Sequence, residues 1–256
     1  AGAAFATIIA QLISGIGSLI FALVKNPFFK IEKEYRSLNR GIIWQCIRMG
    51  VPLAFQSSLI AISCVALQSV VNTFGSVVVA AFTATSRIEQ LVQQPYNSLG
   101  MSVSTYTGQN IGAGQLERVK KGYRIAFLLM AIFSFTMLPL AQFFGNPIMR
   151  LFVSEPEVIE MGAYALKLTS WFYLPLGMIY ITRGLLNGAG DATFAFMNGI
   201  IEMLGRICFA KPLTLIPQVG VWGVWLATAF TWTLTGVITF LRYLQGKWKK
   251  HVVPKE

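Results

Sequence analysis

Charge is scarce in this sequence. Asp, Glu, Lys and Arg make up 12% of its 256 residues, about half the roughly 25% of a soluble domain. That shortage excludes an ordinary water-facing exterior. The hydrophobic residues, 55% of the chain, arrive in blocks long enough to cross a bilayer, which takes about 20 residues at ~1.5 Å rise each. Cysteine is rarer still: Cys46, Cys64 and Cys208 are odd in number and lack Cys-x-x-Cys spacing, so they are read as small apolar fillers, not a disulfide framework. The lone histidine, His251, lies in a polar tail and is expected to be solvated rather than a ligand. No metal cluster or nucleophile elbow occurs. The run Gly108-Gln109-Asn110-Ile111-Gly112-Ala113-Gly114 follows no strand and lacks the Gly-Lys-Ser/Thr of a phosphate loop, so it reads as a helix terminus. These absences exclude an enzyme, a metal site and a bound cofactor. Acidic residues number 10 against 21 basic ones, yet the excess does not indicate nucleic acid, because the basic residues gather in loops as they do in membrane proteins. No initiator Met or basic stretch precedes the first apolar block, so it is no signal peptide, and more chain is expected upstream.

What is present is an all-α polytopic membrane protein with seven spans, at about 2–24, 44–71, 77–107, 122–144, 158–182, 193–216 and 221–244,. The breakers between them are Lys25-Asn26-Pro27, Asn72 to Gly75, Gly112 to Gly114, Gly145-Asn146-Pro147, Asn187 to Gly190 and Pro217 to Gly220,. Sixteen basic residues, Arg183 and Arg242 among them, fall at one set of span ends, against Arg150 and Lys211 at the other. This bias places the C-terminus, including the basic tail 247–256, in the cytoplasm. Within 25–43, Phe28, Ile31, Tyr35 and Leu38 recur at helical spacing among Lys30, Lys33, Arg36 and Arg40. That segment is either an amphipathic helix in the interface plane or a solvated linker, and it joins two lobes.

A displacement of 221 residues lays the first span on the last: Gly2, Ala6, Thr7, Gly15 and Leu23 fall on Gly223, Ala227, Thr228, Gly236 and Leu244. Small-residue patterns are common in packed membrane helices, so chance similarity competes with duplication. As a repeat, 1–24 is the last helix of an N-terminal lobe and 44–246 is a six-helix C-terminal lobe.

The third span carries the most polar groups. Ala84, Ile88, Leu91, Val92, Pro95 and Leu99 make one apolar stripe, and the rest of the circumference holds Ser86, Arg87, Glu89, Gln90, Gln93, Gln94 and Asn97. Such a face cannot look at lipid; it is either glue between helices or the wall of a substrate cavity. Arg87 and Glu89, two residues apart, cannot pair on one face and need partners elsewhere. In the second span Gln56, Ser57, Cys64, Gln68 and Asn72 leave the same two alternatives. Glu202 and Arg206, at i and i+4 with the acid first, read as a structural ion pair. Lys167, Trp171, Tyr173, Pro175 and Tyr180 of the fifth span either line a route for planar organic cations or pack. The candidate cavity residues are therefore Gln56, Gln68, Arg87, Glu89, Gln93, Gln94, Asn97 and Tyr173.

Three separate stretches carry a family resemblance. Tyr106 to Gly114 followed by Arg118 resembles the GQNxGAG segment of the MATE (multidrug and toxic compound extrusion) family. Gly184 to Thr193, with Glu202 and Arg206 after it, is similar to that family's second Gly-rich segment, and Gly50-Val51-Pro52 and Arg87-Ile88-Glu89 match bacterial members. The resemblance implies a transporter of twelve spans in two six-helix lobes, of which this chain is the sixth helix plus the second lobe. It also implies export of amphiphilic or cationic small-molecule organic compounds in exchange for Na⁺ or H⁺. One branch has a cation-binding Glu where this chain has Ile60, so the coupling ion is expected mainly in the N-terminal lobe. A lipid-precursor flippase of the same superfamily would want more basic groups than Arg87, Lys167 and Arg206. A seven-helix receptor leaves the repeat unexplained, and a retinal protein would need a mid-membrane Lys that 221–244 lacks.

Overall fold

The computed structural model describes residues 2–25 and 39–251, and among them there are eight α-helices and no strand. The proposed amphipathic helix at Phe28 to Leu38 lies outside the described residues. The chain separates into two units, Ala1–Cys46 and Ile47–Glu256. The first holds α1 (Gly2–Lys25) and the start of α2 (Arg40–Val71). Asn39 opens α2 by accepting the backbone N–H groups of Gly41 and Ile42 through its Oδ1, at 2.9 and 3.3 Å, which satisfies two donors that a helix start leaves without partners.

The second unit continues with α3 (Ser76–Gly112), α4 (Leu116–Arg150), α5 (Pro156–Ser170), α6 (Tyr173–Gly188), α7 (Ala192–Leu215) and α8 (Gly223–Leu244). Among the described residues five helical stretches are long and apolar enough to cross a membrane: Phe5–Lys25, Arg40–Phe74, Leu116–Arg150, Thr193–Leu215 and Gly220–Leu244. The two remaining sequence-read spans differ for separate reasons. Along α3, Arg87, Glu89 and four glutamines break the apolar run. The expected single span 158–182 is two helices, α5 and α6, interrupted at Trp171 and Phe172. Pro175 is the cause. It has no N–H to offer the Trp171 carbonyl, and its ring crowds that carbonyl. The Phe172 N–H turns back to Thr169 O at 2.9 Å instead.

A second difference lies in α4. Gly145-Asn146-Pro147 was expected to end a span, yet the helix runs through Pro147 to Arg150. A proline in the last turn removes only one intrahelical bond, and Gly145 lets this part of α4 lie close on Ala163 of α5, where an added Cβ would sit 3.3 Å from the Ala163 carbonyl oxygen.

The two Gly-Ala-Gly runs are helix ends of one type. After α3, the Gln115 N–H reaches Asn110 O and the Gly114 N–H reaches Ile111 O; after α6, Asp191 and Gly190 do the same with Leu186 and Asn187. This is the Schellman arrangement, and Gly114 and Gly190 take the positive φ (67° and 78°) that it needs,. The glycines before them act differently. Built on Gly184, a Cβ would stand 2.2 Å from Gly100 O; on Gly188 it would stand 2.2 Å from Ser104 O. Gly184 and Gly188, four apart on α6, therefore let its backbone touch that of α3 along Gly100 and Ser104.

Beside this seam sits the largest core cluster, with Tyr96, Met130, Tyr173, Ile181 and Leu185 all fully buried. At the end of α8 a short 3₁₀ helix (Lys247–His251) tucks Trp248 under Tyr243, 5.8 Å away and 11° from parallel, and Tyr243 stacks in turn on Tyr123 at 4.3 Å.

Candidate functional site

A cavity of about 490 Å³ opens in the second unit, walled by α2, α3, α6, α7 and α8. Its apolar surfaces come from Ile60 and Leu67 of α2, Phe82 of α3, Leu176 and Ile179 of α6, and Trp232 of α8. Ser57, Cys64 and Gln68 from α2, and Ser86, Glu89, Gln90 and Gln93 from α3, make its neutral and acidic polar wall. The basic groups are Arg183 of α6 and Arg206 of α7, with Tyr180 and Glu202 beside them.

The charges are arranged around Glu202. Arg183 donates from Nη2 to Glu202 Oε2 at 2.8 Å, and Arg206 donates from Nη2 to Glu202 Oε1 at 3.0 Å. Arg206 spends its other arm on α2, with Nη1 2.6 Å from Ser63 Oγ. One buried carboxylate thus sits between two guanidinium groups, an arrangement in which Coulomb attraction offsets the cost of removing charge from water. Tyr180 joins the two walls: its hydroxyl donates to Gln93 Oε1 at 2.9 Å, while the Arg183 guanidinium lies 5.9 Å from its ring centre.

Glu89 stands apart. Three acidic side chains are buried among the described residues: Glu89, Asp191 and Glu202. Glu202 holds two arginines, and Asp191 receives both Nε and Nη2 of Arg242 at 2.8 and 3.0 Å. Glu89 is 8% exposed and makes no ion pair, and its Oε1 has no hydrogen bond, with the Thr169 hydroxyl and the more distant Arg206 charge as its polar neighbours. An unpaired buried carboxyl is expensive to keep, so it points to a function more than a paired one does.

The sequence-read candidates therefore divide. Gln68, Glu89 and Gln93 come together at the cavity, as do Glu202 and Arg206. Gln56 does not line it. It is buried, donating to Asn198 Oδ1 at 3.1 Å, and Asn198 donates on to Thr239 at 2.8 Å, so it ties α2 to α7 and α8. Tyr173 is packed in the core. Arg87, Gln94 and Asn97 are exposed on other sides of α3, and the Arg87 partner is Gln90 at 3.4 Å on the same helix. Of the apolar stripe, Ala84 and Ile88 are buried and Leu91 is 62% exposed. Glu202 and Arg206 pair, though not as a closed couple.

Sequence reading missed Arg183, which it assigned to a cytoplasmic span end. The signal was its position. It lies five positions before the end of α6 at Gly188, more than a full turn inside the helix, and on the same face as Tyr180 one turn earlier.

Helices of this length and apolar character indicate a multi-pass membrane protein. The MatE family profile matches residues 52–210, and the chain belongs to that family. It is similar to the probable multidrug resistance protein YoeA of Bacillus subtilis, 26% identical over 258 aligned positions covering 99% of this chain and 56% of that protein. It is also similar to the FAD transporter of Shewanella oneidensis, 26% identical over 93% of this chain and 53% of that one. Among solved structures, a MOP superfamily transporter from Pyrococcus furiosus superposes with a TM-score of 0.86 at 22% identity, over 99% of this chain and 57% of that chain, which shows a common fold. The chain spans about half the length of the curated relatives it matches. These relatives are transport proteins, not enzymes.

Proposed function

We propose that the chain is the C-terminal half of a secondary transporter that exports amphiphilic or cationic organic compounds in exchange for Na⁺ or H⁺. In this reading seven segments span the membrane, with α5 and α6 together making one of them. The C-terminus is cytoplasmic, and a six-helix N-terminal lobe holds most of the coupling ion's ligands. The exposed polar residues Arg87, Gln94 and Asn97 on α3 support such a partner lobe, because lipid is a poor neighbour for them.

The observation that carries the reading is Glu89, a buried carboxyl that makes no ion pair on the wall of a polar cavity. A cation bound there would supply the missing charge. The test is export of a fluorescent cationic dye from cells producing the protein that contains this chain. Glu89→Ala should slow export about tenfold at matched expression, the effect of losing one charge-assisted contact, while Ile88→Leu should leave it unchanged. Export unaffected by Glu89→Ala would return Glu89 to a packing role. A second reading, export of an anionic compound such as the one named for the Shewanella relative, is favoured by the two guanidinium groups in the same cavity.

A further inference from the structure

Away from the cavity, a basic patch forms where two segments far apart in sequence meet. The first turns of α4 carry Arg118, Lys120, Lys121 and Arg124, and the 3₁₀ helix after α8 carries Lys247 and Lys249. All but the half-buried Lys120 are exposed. Aromatic side chains hold the two segments together. Tyr123 stacks on Tyr243, Tyr243 stacks on Trp248, and the Trp248 indole N–H donates to the Tyr243 carbonyl at 3.0 Å. Trp248 is 1% exposed, so the short helix is docked, and Lys249 Nζ lies 6.0 Å from its ring centre. Lys120, Arg124 and Lys249 all lie close enough to act on the Glu117 carboxylate, the only acid in either segment. Lys120 takes that carboxylate at 2.6 Å, and Lys121, Arg124 and Lys247 make no ion pair among the described residues.

This patch caps an apolar surface. Lys121, Ile125, Leu128, Ile132 and Phe135 follow one another on one face of α4, and the last four are each more than half exposed. On α8, Leu241 and Leu244, 50% and 60% exposed, lead to Lys247. A soluble anion would use the basic groups and leave the apolar ones idle. A molecule that matches both surfaces has an anionic head on long apolar chains. Guanidinium and ammonium groups both bind phosphate, and clusters of about four to eight basic residues at the ends of membrane helices attract anionic lipid.

We propose that the start of α4 and the docked 3₁₀ helix together bind the head group of an anionic phospholipid. Lys121, Arg124, Lys247 and Lys249 meet its phosphate, and the exposed faces of α4 and α8 lie along its acyl chains. Basic residues spread over helix ends would serve orientation alone; here the aromatic stack gathers them from two segments onto one spot. The site is separate from the cavity and does not depend on which compound is exported.

Native mass spectrometry reads lipid binding directly. The protein containing this chain, delipidated in neutral detergent, is titrated with phosphatidylglycerol or with phosphatidylcholine of identical acyl chains. Phosphatidylglycerol should bind at least about tenfold more tightly, since each basic residue near an anionic surface contributes roughly fivefold. Equal affinity for the two lipids overturns the proposal without any variant having to fold. Arg124→Gln with Lys249→Gln should bring them within about twofold of each other. Arg150→Gln with Lys211→Gln removes the same charge from exposed residues outside both segments and should leave the preference intact; an equal loss there would assign the effect to net charge and overturn the site. Trp248→Ala keeps every charge but releases the 3₁₀ helix, so the preference should fall several-fold. An unchanged preference in Trp248→Ala overturns the two-segment site. Excess inorganic phosphate should not displace the lipid, and displacement would mark the patch as a site for a soluble anion instead.

Discussion

The seam between α3 and α6 and the cavity beside it use the same two helices in opposite ways. Along the seam, glycine at 100, 184 and 188 lets backbone meet backbone, and the helices close on each other with no side chain between them. A few residues away the helices carry Glu89, Gln93, Tyr180 and Arg183, and space remains open. The closed part depends on absent atoms and the open part on charge balance, so the two should fail differently.

The largest expected effect is on the charge side. Glu202→Ala leaves Arg183 and Arg206 without their shared carboxylate, and stability should fall by about 3–5 kcal/mol, the range for breaking a buried pair by removing one partner. Thermal unfolding in detergent would measure it. A change of under about 1 kcal/mol would mean that water entering the cavity solvates the two cations as well as the carboxylate does.

The seam comes next. Gly188→Ala places a methyl group 2.2 Å from the Ser104 carbonyl oxygen, and backbone cannot step aside as a flexible side chain can. A loss of ~1–3 kcal/mol is expected, as for overpacking elsewhere. Gly112→Ala, whose Cβ meets nothing within 4 Å, is the internal control and should stabilise slightly through helix propensity. Equal melting temperatures for the two would remove the seam as a distinct feature.

The smallest effect sharpens the contrast between the two cavity carboxyls. Glu89→Met replaces a group that makes no ion pair by an apolar one of similar length, so stability should stay level or rise by up to about 1 kcal/mol, opposite in sign to Glu202→Ala. A loss as large as that at Glu202 would show that Glu89 is structurally paired after all.

How much of this was legible in the sequence follows the distance over which each interaction acts. Glu202 and Arg206 lie one helical turn apart, and their pairing follows from spacing alone. The Gly-Ala-Gly runs were readable as helix ends because Schellman termination needs glycine locally. Gln56 was not readable: its partner Asn198 is 142 positions away, and a glutamine pinned between helices looks the same in sequence as one facing a cavity. Arg183 was hidden for a related reason. A basic residue near a span end usually marks the cytoplasmic side, and only the position of Glu202, 19 residues on, turns it inward. On α3 the polar residues were recognised, but only packing divides Glu89 and Gln93 from Gln94 and Asn97. The break at Trp171 could have been read from Pro175, since a proline four residues later forbids that carbonyl its helical bond.

Asp191 fills two roles that are separated in time. Its side chain accepts the Phe194 N–H at 3.3 Å and so caps the start of α7, a contact the ribosome makes possible within a few residues. Its counter-ion Arg242 lies 51 positions later. Through the synthesis of α7, the turn at Gly220 and nearly all of α8, the carboxylate has no Arg242 to meet. When Arg242 emerges, its two donors close the far end of the α7–α8 hairpin onto the point where the hairpin began. One side chain thereby serves both the start of the hairpin and its closure.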